Sequence, residues 1–369
     1  MDTGSGLSIR YDKLVGINKI HIPTGTTAIL VRLYVKANVT FNNTKYVLTL
    51  SEALSNKVLE KASADFRFLL AFGTGDCTII KFNDGKVLVI DFGLAEKQHT
   101  LHRSWKRAVT ELGITHIDYA IISHYHGDHV GLLIDENTTD ADYVDITNYI
   151  DSSTTFFLPN GHPFTQEELD ALAWVDEMAG DRIISNYTKV MAFLNNQGCK
   201  IVYPSENEKW NIGGAEILFW NADQAYIMNQ FIAHTMYDYN NASLCNYIRF
   251  GDYRICFSGD IGLPVMEHYE KTVLSSQIFK VNHHSVGYDV VPLFLNSLMP
   301  KLDIAMLGTA LAETLLPTNP NQIWCEKNNV PNVVTGVNDK NISLRVSESG
   351  YIFTTACRKL ICNEEWPTT

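Results

Sequence analysis

An apolar run, Ile117-Asp118-Tyr119-Ala120-Ile121-Ile122-Ser123, breaks directly into His124-Tyr125-His126-Gly127-Asp128-His129-Val130-Gly131. Apolar residues in near-continuous sequence suit a strand buried on both faces, which arises where helices cover a largely parallel sheet. The stretch therefore calls for a layered α/β chain, and it sets three imidazoles and one carboxylate within six residues where the backbone leaves the sheet. A histidine-rich surface loop would turn its rings to solvent and would not need the apolar strand before it. In a loop leaving a strand, His124 and His126 converge on one metal ion, while Asp128 and His129, displaced by the turn at Gly127, face a second. Imidazole and carboxylate donors without thiolate suit Zn²⁺ with an open coordination position, and accept Mn²⁺ or Fe.

The rest of the chain carries the same alternation. Before the motif stand FRFLLAF from Phe66, CTIIKF, the turn Asn83-Asp84-Gly85 and KVLVIDFG, a hairpin signal followed by an apolar run. A helix is expected over Ala95 to Leu112, closed by Gly113. The stretch from about 135 to 197 reads as an insertion or crossover with helices near Thr165 to Met178 and Asn186 to Gln197. Strand signals resume at KIVYP, AEILFW, SLCNYIRF and YRICFSG, the last two joined by Gly251-Asp252, and continue through SQIFKVN, LDIAML, PNVVTG and YIFTTA. Further helices are expected over Pro292 to Leu298 and Asn321 to Asn328. Residues 1–64 carry no motif; strands over Thr27 to Thr40 and Lys45 to Leu50 and a helix over Ser51 to Ala62 make them an N-terminal β/α extension, with the main domain over 65–369.

Bulk properties limit the function classes. Twenty-nine basic against forty-one acidic residues give a net charge of −12, which disfavours a non-specific grip on nucleic acid and favours a small substrate over long DNA. Seven cysteines without a C-x-x-C pair fit a reducing compartment. No signal-peptide pattern and no membrane-spanning apolar stretch is present, so a cytoplasmic protein without membrane association is expected. A homo-oligomer is compatible with these features.

The His-x-His-x-Asp-His pattern resembles the signature of the metallo-β-lactamase superfamily. GTGDCTIIKFNDGKVLVIDFG is similar to that family's opening hairpin, FSGD to its metal-bridging segment, and IFKVNHHSVG to its last ligand position. The stretches NNASLCNYIRFGDYRICFSGDI, FKVNHH and FLNSLMPKLDIAML narrow the resemblance to the domain of DNA-uptake competence proteins and related phosphocholine esterases, over about residues 66 to 357. The resemblance implies a four-layer αββα sandwich with two metal ions, Zn²⁺ foremost, at one edge of its sheets. It implies ligand roles for His124, His126, Asp128, His129, Asp260 and His284, and a bracing role for Asp91. Adjacent side chains diverge along an extended backbone, so one of His283 and His284 is a ligand; His284 is taken as that ligand, leaving His283 beside the substrate as a proton or hydrogen-bond donor.

The match also breaks. Where many relatives carry a further histidine, this chain reads Tyr237-Asp238-Tyr239-Asn240-Asn241-Ala242-Ser243, so Asn240, Asn241 or water must complete the first metal site, or His234 if its loop folds back. Ser285 replaces the usual glycine after the paired histidines, and the later His-Pro element is absent from LLPTNPN. His162, in a Gly-His-Pro loop, is the other histidine placed where function can reside. The resemblance implies phosphodiester hydrolysis, as by a nuclease or a phosphodiesterase of small molecules or nucleotides, through a water activated by two ions, with Asp128 orienting it; lactone or thioester hydrolysis, or a non-catalytic metal-binding sensor or interaction module, are the alternatives.

Overall fold

The computed structural model describes residues 62–69, 75–94, 100–135, 142–285, 292–305, 319–334, 341–348 and 350–353. The expected elements before residue 62, the first part of the helix expected from Ala95, and the chain after residue 353 lie outside these.

Two sheets dominate. The first, eight-stranded, runs in the order β15-β14-β1-β2-β3-β4-β5-β6, and the second, seven-stranded, in the order β13-β12-β11-β10-β9-β8-β7. In the first sheet, β1 (Ser63–Phe68), β2 (Thr78–Phe82) and β3 (Val87–Ile90) form an antiparallel meander, and β4 (Tyr119–Ile121), β5 (Thr155–Phe157) and β6 (Lys200–Val202) extend it in parallel. β14 (Ile342–Ser347) and β15 (Gly350–Phe353) close the other edge. In the second sheet, β7 (Lys209–Ile212), β8 (Ala215–Trp220), β9 (Cys245–Phe250) and β10 (Tyr253–Phe257) are antiparallel, while β11 (Ile278–Lys280), β12 (Leu302–Ala305) and β13 (Asn332–Val334) run parallel to β10. The turns at Asn83-Asp84-Gly85 and Gly251-Asp252 close hairpins where the sequence places them.

Period-two alternation assigns each strand residue to a face. Phe66, Phe68, Ile80, Leu88, Ile90, Ile121 and Phe157 of the first sheet share one buried core with Ile217, Phe219, Ile248, Phe250, Ile255, Phe257 and Ile278 of the second. Their neighbours Ile79, Val87, Val89, Ala120 and Phe156 belong to a different core that includes helix residues such as Leu101, Trp105, Val130, Leu172 and Val190. Both faces of these strands are thus dry, which explains the unbroken apolar runs. Full burial of each such Phe or Ile contributes roughly 1.5–3 kcal/mol.

The helices are α1 (Thr100–Leu112), α2 (Gly127–Ile134), α3 (Gln166–Ala179), α4 (Ile183–Gln197), α5 (Ala225–Ile232), α6 (Leu263–Tyr269), α7 (Pro292–Leu298) and α8 (Pro320–Asn328). Thr165 and Glu168 form a capping box at the start of α3, and Gly180 ends it in the left-handed conformation. Two sheets with helices packed on them are consistent with the expected metallo-β-lactamase sandwich. The stretch treated as an insertion supplies β5 to the first sheet as well as α3 and α4. Among the described residues, no helix is long and apolar enough to cross a membrane.

Candidate metal centre

The polar residues of interest gather at one edge of the sandwich, because β3, β4, β10 and β11 all end there. Asp91 follows β3, His124 to His129 follow β4, Asp260 follows β10, and His283 and His284 follow β11. The C-terminal ends of parallel strands are where α/β sheets ordinarily place ligands. The sequence pattern suggests a loop after His124, but Gly127–Ile134 is a helix, and Asp128 and His129 occupy its first turn, where a carboxylate is favoured by the helix dipole.

Each of four imidazoles commits one nitrogen to an oxygen partner. His129 Nδ1 lies 2.9 Å from Asp91 Oδ2, and Asp91, left-handed at φ 56°, is itself held by the backbone N–H and hydroxyl of Ser123 at 2.7 and 2.8 Å. His284 Nδ1 lies 2.9 Å from Asp76 Oδ1. His126 Nε2 lies 3.2 Å from Asp181 Oδ2, and His124 Nδ1 is 3.0 Å from Ser123 Oγ and 3.3 Å from Ser243 Oγ. The other nitrogens turn toward one another and toward carboxylates. His124 Nε2 and His126 Nδ1 are 3.1 Å apart, with Asn240 Oδ1 2.8 Å from the latter. His129 Nε2 and His284 Nε2 lie 3.0 and 3.1 Å from Asp260 Oδ2, and His284 Nε2 is 3.4 Å from Asp128 Oδ2. Asp128, His129, Asp260 and His284 offer ligand atoms that all lie within 4.8 Å of one another, so this group could hold a metal ion.

Charge follows from these contacts. Burial would lower the pKa of His129, but the Asp260 and Asp91 carboxylates outweigh it and hold the imidazole well above its ordinary value; Asp260 and Asp76 do the same for His284. Burial likewise opposes ionisation of Asp260 and Asp128, yet the two imidazolium groups hold both carboxyls well below the usual range. His124 moves the other way: burial, then the nearby His129 and His126 charges, press it well below the ordinary value.

The residues fit divalent ions on two observations. Donors 2.0–2.1 Å from a tetrahedral cation stand about 3.3–3.4 Å apart, close to the 3.1 and 3.4 Å separations here. Asp260 Oδ1 is buried and has no hydrogen-bond partner among the described residues, as befits a carboxylate oxygen reserved for a cation.

Packing holds the cluster in place. Ser243 Oγ accepts from the Asp260 N–H at 3.0 Å and donates to the Asn240 carbonyl at 2.8 Å. Gly259 has φ +54°, and a Cβ there would stand 2.7 Å from Ser243 Cβ, so only glycine brings Asp260 this close. His283, His284 and Ser285 all take left-handed conformations at φ 46°, 53° and 63°, a strained run that turns the two imidazoles apart. His284 is buried; His283 lines the cleft with its Nε2 3.5 Å from Asn240 Nδ2. Asn241 Oδ1 accepts from the Gly262 N–H at 3.0 Å and braces the segment after Asp260.

His234 does not enter the cluster. Its ring stacks on Trp174 with the centroids 4.3 Å apart. His162 is exposed, with Nδ1 2.9 Å from the Pro163 carbonyl oxygen. Asp76, Asp181, Ser243 and Lys280 were not anticipated. A lysine inside the apolar run IFKVN was the available signal, since a buried ammonium requires a carboxylate nearby.

A cleft of about 1040 Å³ opens on the cluster and is lined by His126, Asp128, Asn240, Asp260 and His283. Arg182, just before α4, and Lys189 within it also line the cleft, as do Met236, Tyr237, Leu263 and Pro264.

Residues 70–135, which span the opening hairpin, β4 and α2, match the family model of the metallo-beta-lactamase superfamily. The match and the two-sheet fold support that superfamily. No curated protein matches it. Similar solved structures include a mutant CmlA beta-hydroxylase (11% identity, 79% of this chain, TM-score 0.44). A new diphosphatase from the PhnP family aligns at 11% identity over 77% of this chain and 97% of its own, with TM-score 0.36. Zn(2+)-bound PqqB from Methylobacterium extorquens aligns at 10% identity over 60% of this chain and 72% of its own, with TM-score 0.32. The chain spans 55% of the CmlA structure.

Proposed function

We propose that the protein is a dinuclear metal-dependent hydrolase of phosphodiesters, acting on a small-molecule or nucleotide substrate as the competence-type resemblance implies. The observation that carries this reading is the division of labour in four buried or part-buried imidazoles: one nitrogen of each is anchored to oxygen, and the other faces a shared centre with Asp128 and Asp260. Anchored imidazoles of this kind are the usual support of metal ligands. On this reading His124, His126 and Asn240 hold one ion, Asp128, His129 and His284 the other, and Asp260 faces both. Zn²⁺, Mn²⁺ or Fe suits these donors.

When bound, two such ions supply Lewis acidity and a water acidic enough to ionise near neutral pH. The chain does the rest. Asp128, partly exposed in the cleft, orients the attacking water and receives its proton. Arg182 and Lys189 draw the anionic phosphoryl oxygens into the cleft, and His283 beside Asn240 donates a hydrogen bond to the departing oxygen. Lactone or thioester hydrolysis is the second reading, favoured by the 57% and 47% exposure of Tyr237 and Leu263 among the lining residues.

Elemental analysis coupled to hydrolysis of bis-p-nitrophenyl phosphate tests this, comparing the wild type with an Asp128→Ala, His129→Ala double variant. About two ions per chain and turnover lost in the variant are expected. Two ions with no phosphodiester turnover but cleavage of a lactone or thioester would favour the second reading, and a metal-free chain would overturn both.

A further inference from the structure

We propose that Asp76 and Lys280 are positioning residues for His284: a buried carboxylate–ammonium pair whose task is to aim the His284 Nε2 at Asp128 and Asp260. The proposal rests on the reading of His284 as a metal ligand and adds the device that makes it one.

Asp76 stands just before β2 in the first sheet and Lys280 ends β11 in the second, with side chains 6% and 2% exposed. The two oxygens of Asp76 are divided between partners. Oδ2 contacts Lys280 Nζ, and Oδ1 lies 2.9 Å from the Nδ1 of His284, 208 residues further along the chain. A carboxylate can only accept there, so Nδ1 carries a proton and donates, and Nε2 is the nitrogen left to offer its lone pair once a cation displaces its proton. That nitrogen faces Asp260 at 3.1 Å and Asp128 at 3.4 Å.

Lys280 explains why Asp76 can do this. Asp76 sits beside Asp91, and a second buried carboxylate there is held ionised only by nearby positive charge, foremost that of Lys280. Asp76, Asp91, Ser123, Asn246 and Lys280 line a void of about 10 Å³, room for no more than about one water beside the pair. His129 is anchored differently, through Asp91 and the neutral donors of Ser123. His284 also lies in the strained left-handed run, where the backbone alone does not fix its ring. An ion pair that merely joined the two sheets would have no reason to spend one carboxylate oxygen on an imidazole.

The test is cobalt(II) binding to the full chain, followed by calorimetry and visible absorption, for Asp76→Asn, Lys280→Met and the pair combined. The wild type takes up two ions. Each variant binds one ion as before and the other about 10- to 100-fold more weakly, with loss of that ion's absorption band. The combined variant leaves no unpaired buried charge, so it reports even where a single variant fails to fold. Variants that bind both ions like the wild type, or that lose only thermal stability of the metal-free protein, would overturn the proposal. A wild type that takes up no cobalt would overturn the dinuclear reading beneath it.

Discussion

The two halves of the site use the same imidazole chemistry in different electrostatic settings. Around His129 and His284 stand Asp76, Asp91, Asp128 and Asp260, and both rings are pushed toward the protonated form. Around His124 stand the hydroxyls of Ser123 and Ser243 and the His126 ring, and His124 is pushed toward the neutral form, whereas for His126, beside Asn240, burial is outweighed by the Asp181 carboxylate and the ring is held above its ordinary value. The lesson is that ligand count alone does not rank the halves. A cation placed among carboxylates gains more than one among neutral donors, so the Asp128 half should fill first and hold harder.

The largest effect is expected where the halves meet. Asp260→Ala should abolish binding of both ions and reduce turnover by at least about 10³-fold, given several kcal/mol of Lewis-acid stabilisation; metal content and steady-state rates of the purified variant check this. Single-ligand variants separate the halves. His129→Ala should leave the chain with less than one tightly bound ion, whereas His126→Ala should leave one in the carboxylate half, with chelator competition distinguishing them. Equal losses from the two variants would break the comparison.

The pH response carries opposite signs. His129 and His284 are held above their ordinary value, so the folded metal-free protein keeps protons that the unfolded chain releases, and stability falls as pH rises from about 6.5 through their folded values. His124 is held below it, so the unfolded chain binds more protons and stability falls as pH drops below about 6.5. The melting temperature of metal-free protein should peak near that pH, while the gain on adding metal should grow as pH rises, because the ion displaces the two protons. Thermal melts between about pH 5.5 and 8.5, with and without chelator, read both slopes. The smallest change is expected from Asn240→His, which adds a third imidazole and should tighten the weaker half on the order of tenfold by calorimetry.

Legibility in the sequence followed distance along the chain. His124, His126, Asp128 and His129 stand together behind one strand, and the alternation of buried strands and helices announced a layered α/β chain. Asp260, His284 and Asp91 were legible only through the family resemblance, since each is a single residue at the end of an apolar run. Asp76 and Asp181 gave no local sign, because their partners lie 208 and 55 positions away. Helix α2 was missed because Gly, Asp and His are weak helix formers; the charge at its N-terminus and the burial of Val130 and Leu133 compensate. Short β5 was hidden between polar stretches and is defined by pairing with β4 and β6.

The most direct measurement is anomalous X-ray scattering from crystals of metal-loaded protein. Two peaks flanking Asp260, the stronger among Asp128, His129 and His284 and the weaker beside His124, His126 and Asn240, are expected. Well-occupied metal bound elsewhere, or no peak at Asp260, would contradict the dinuclear centre.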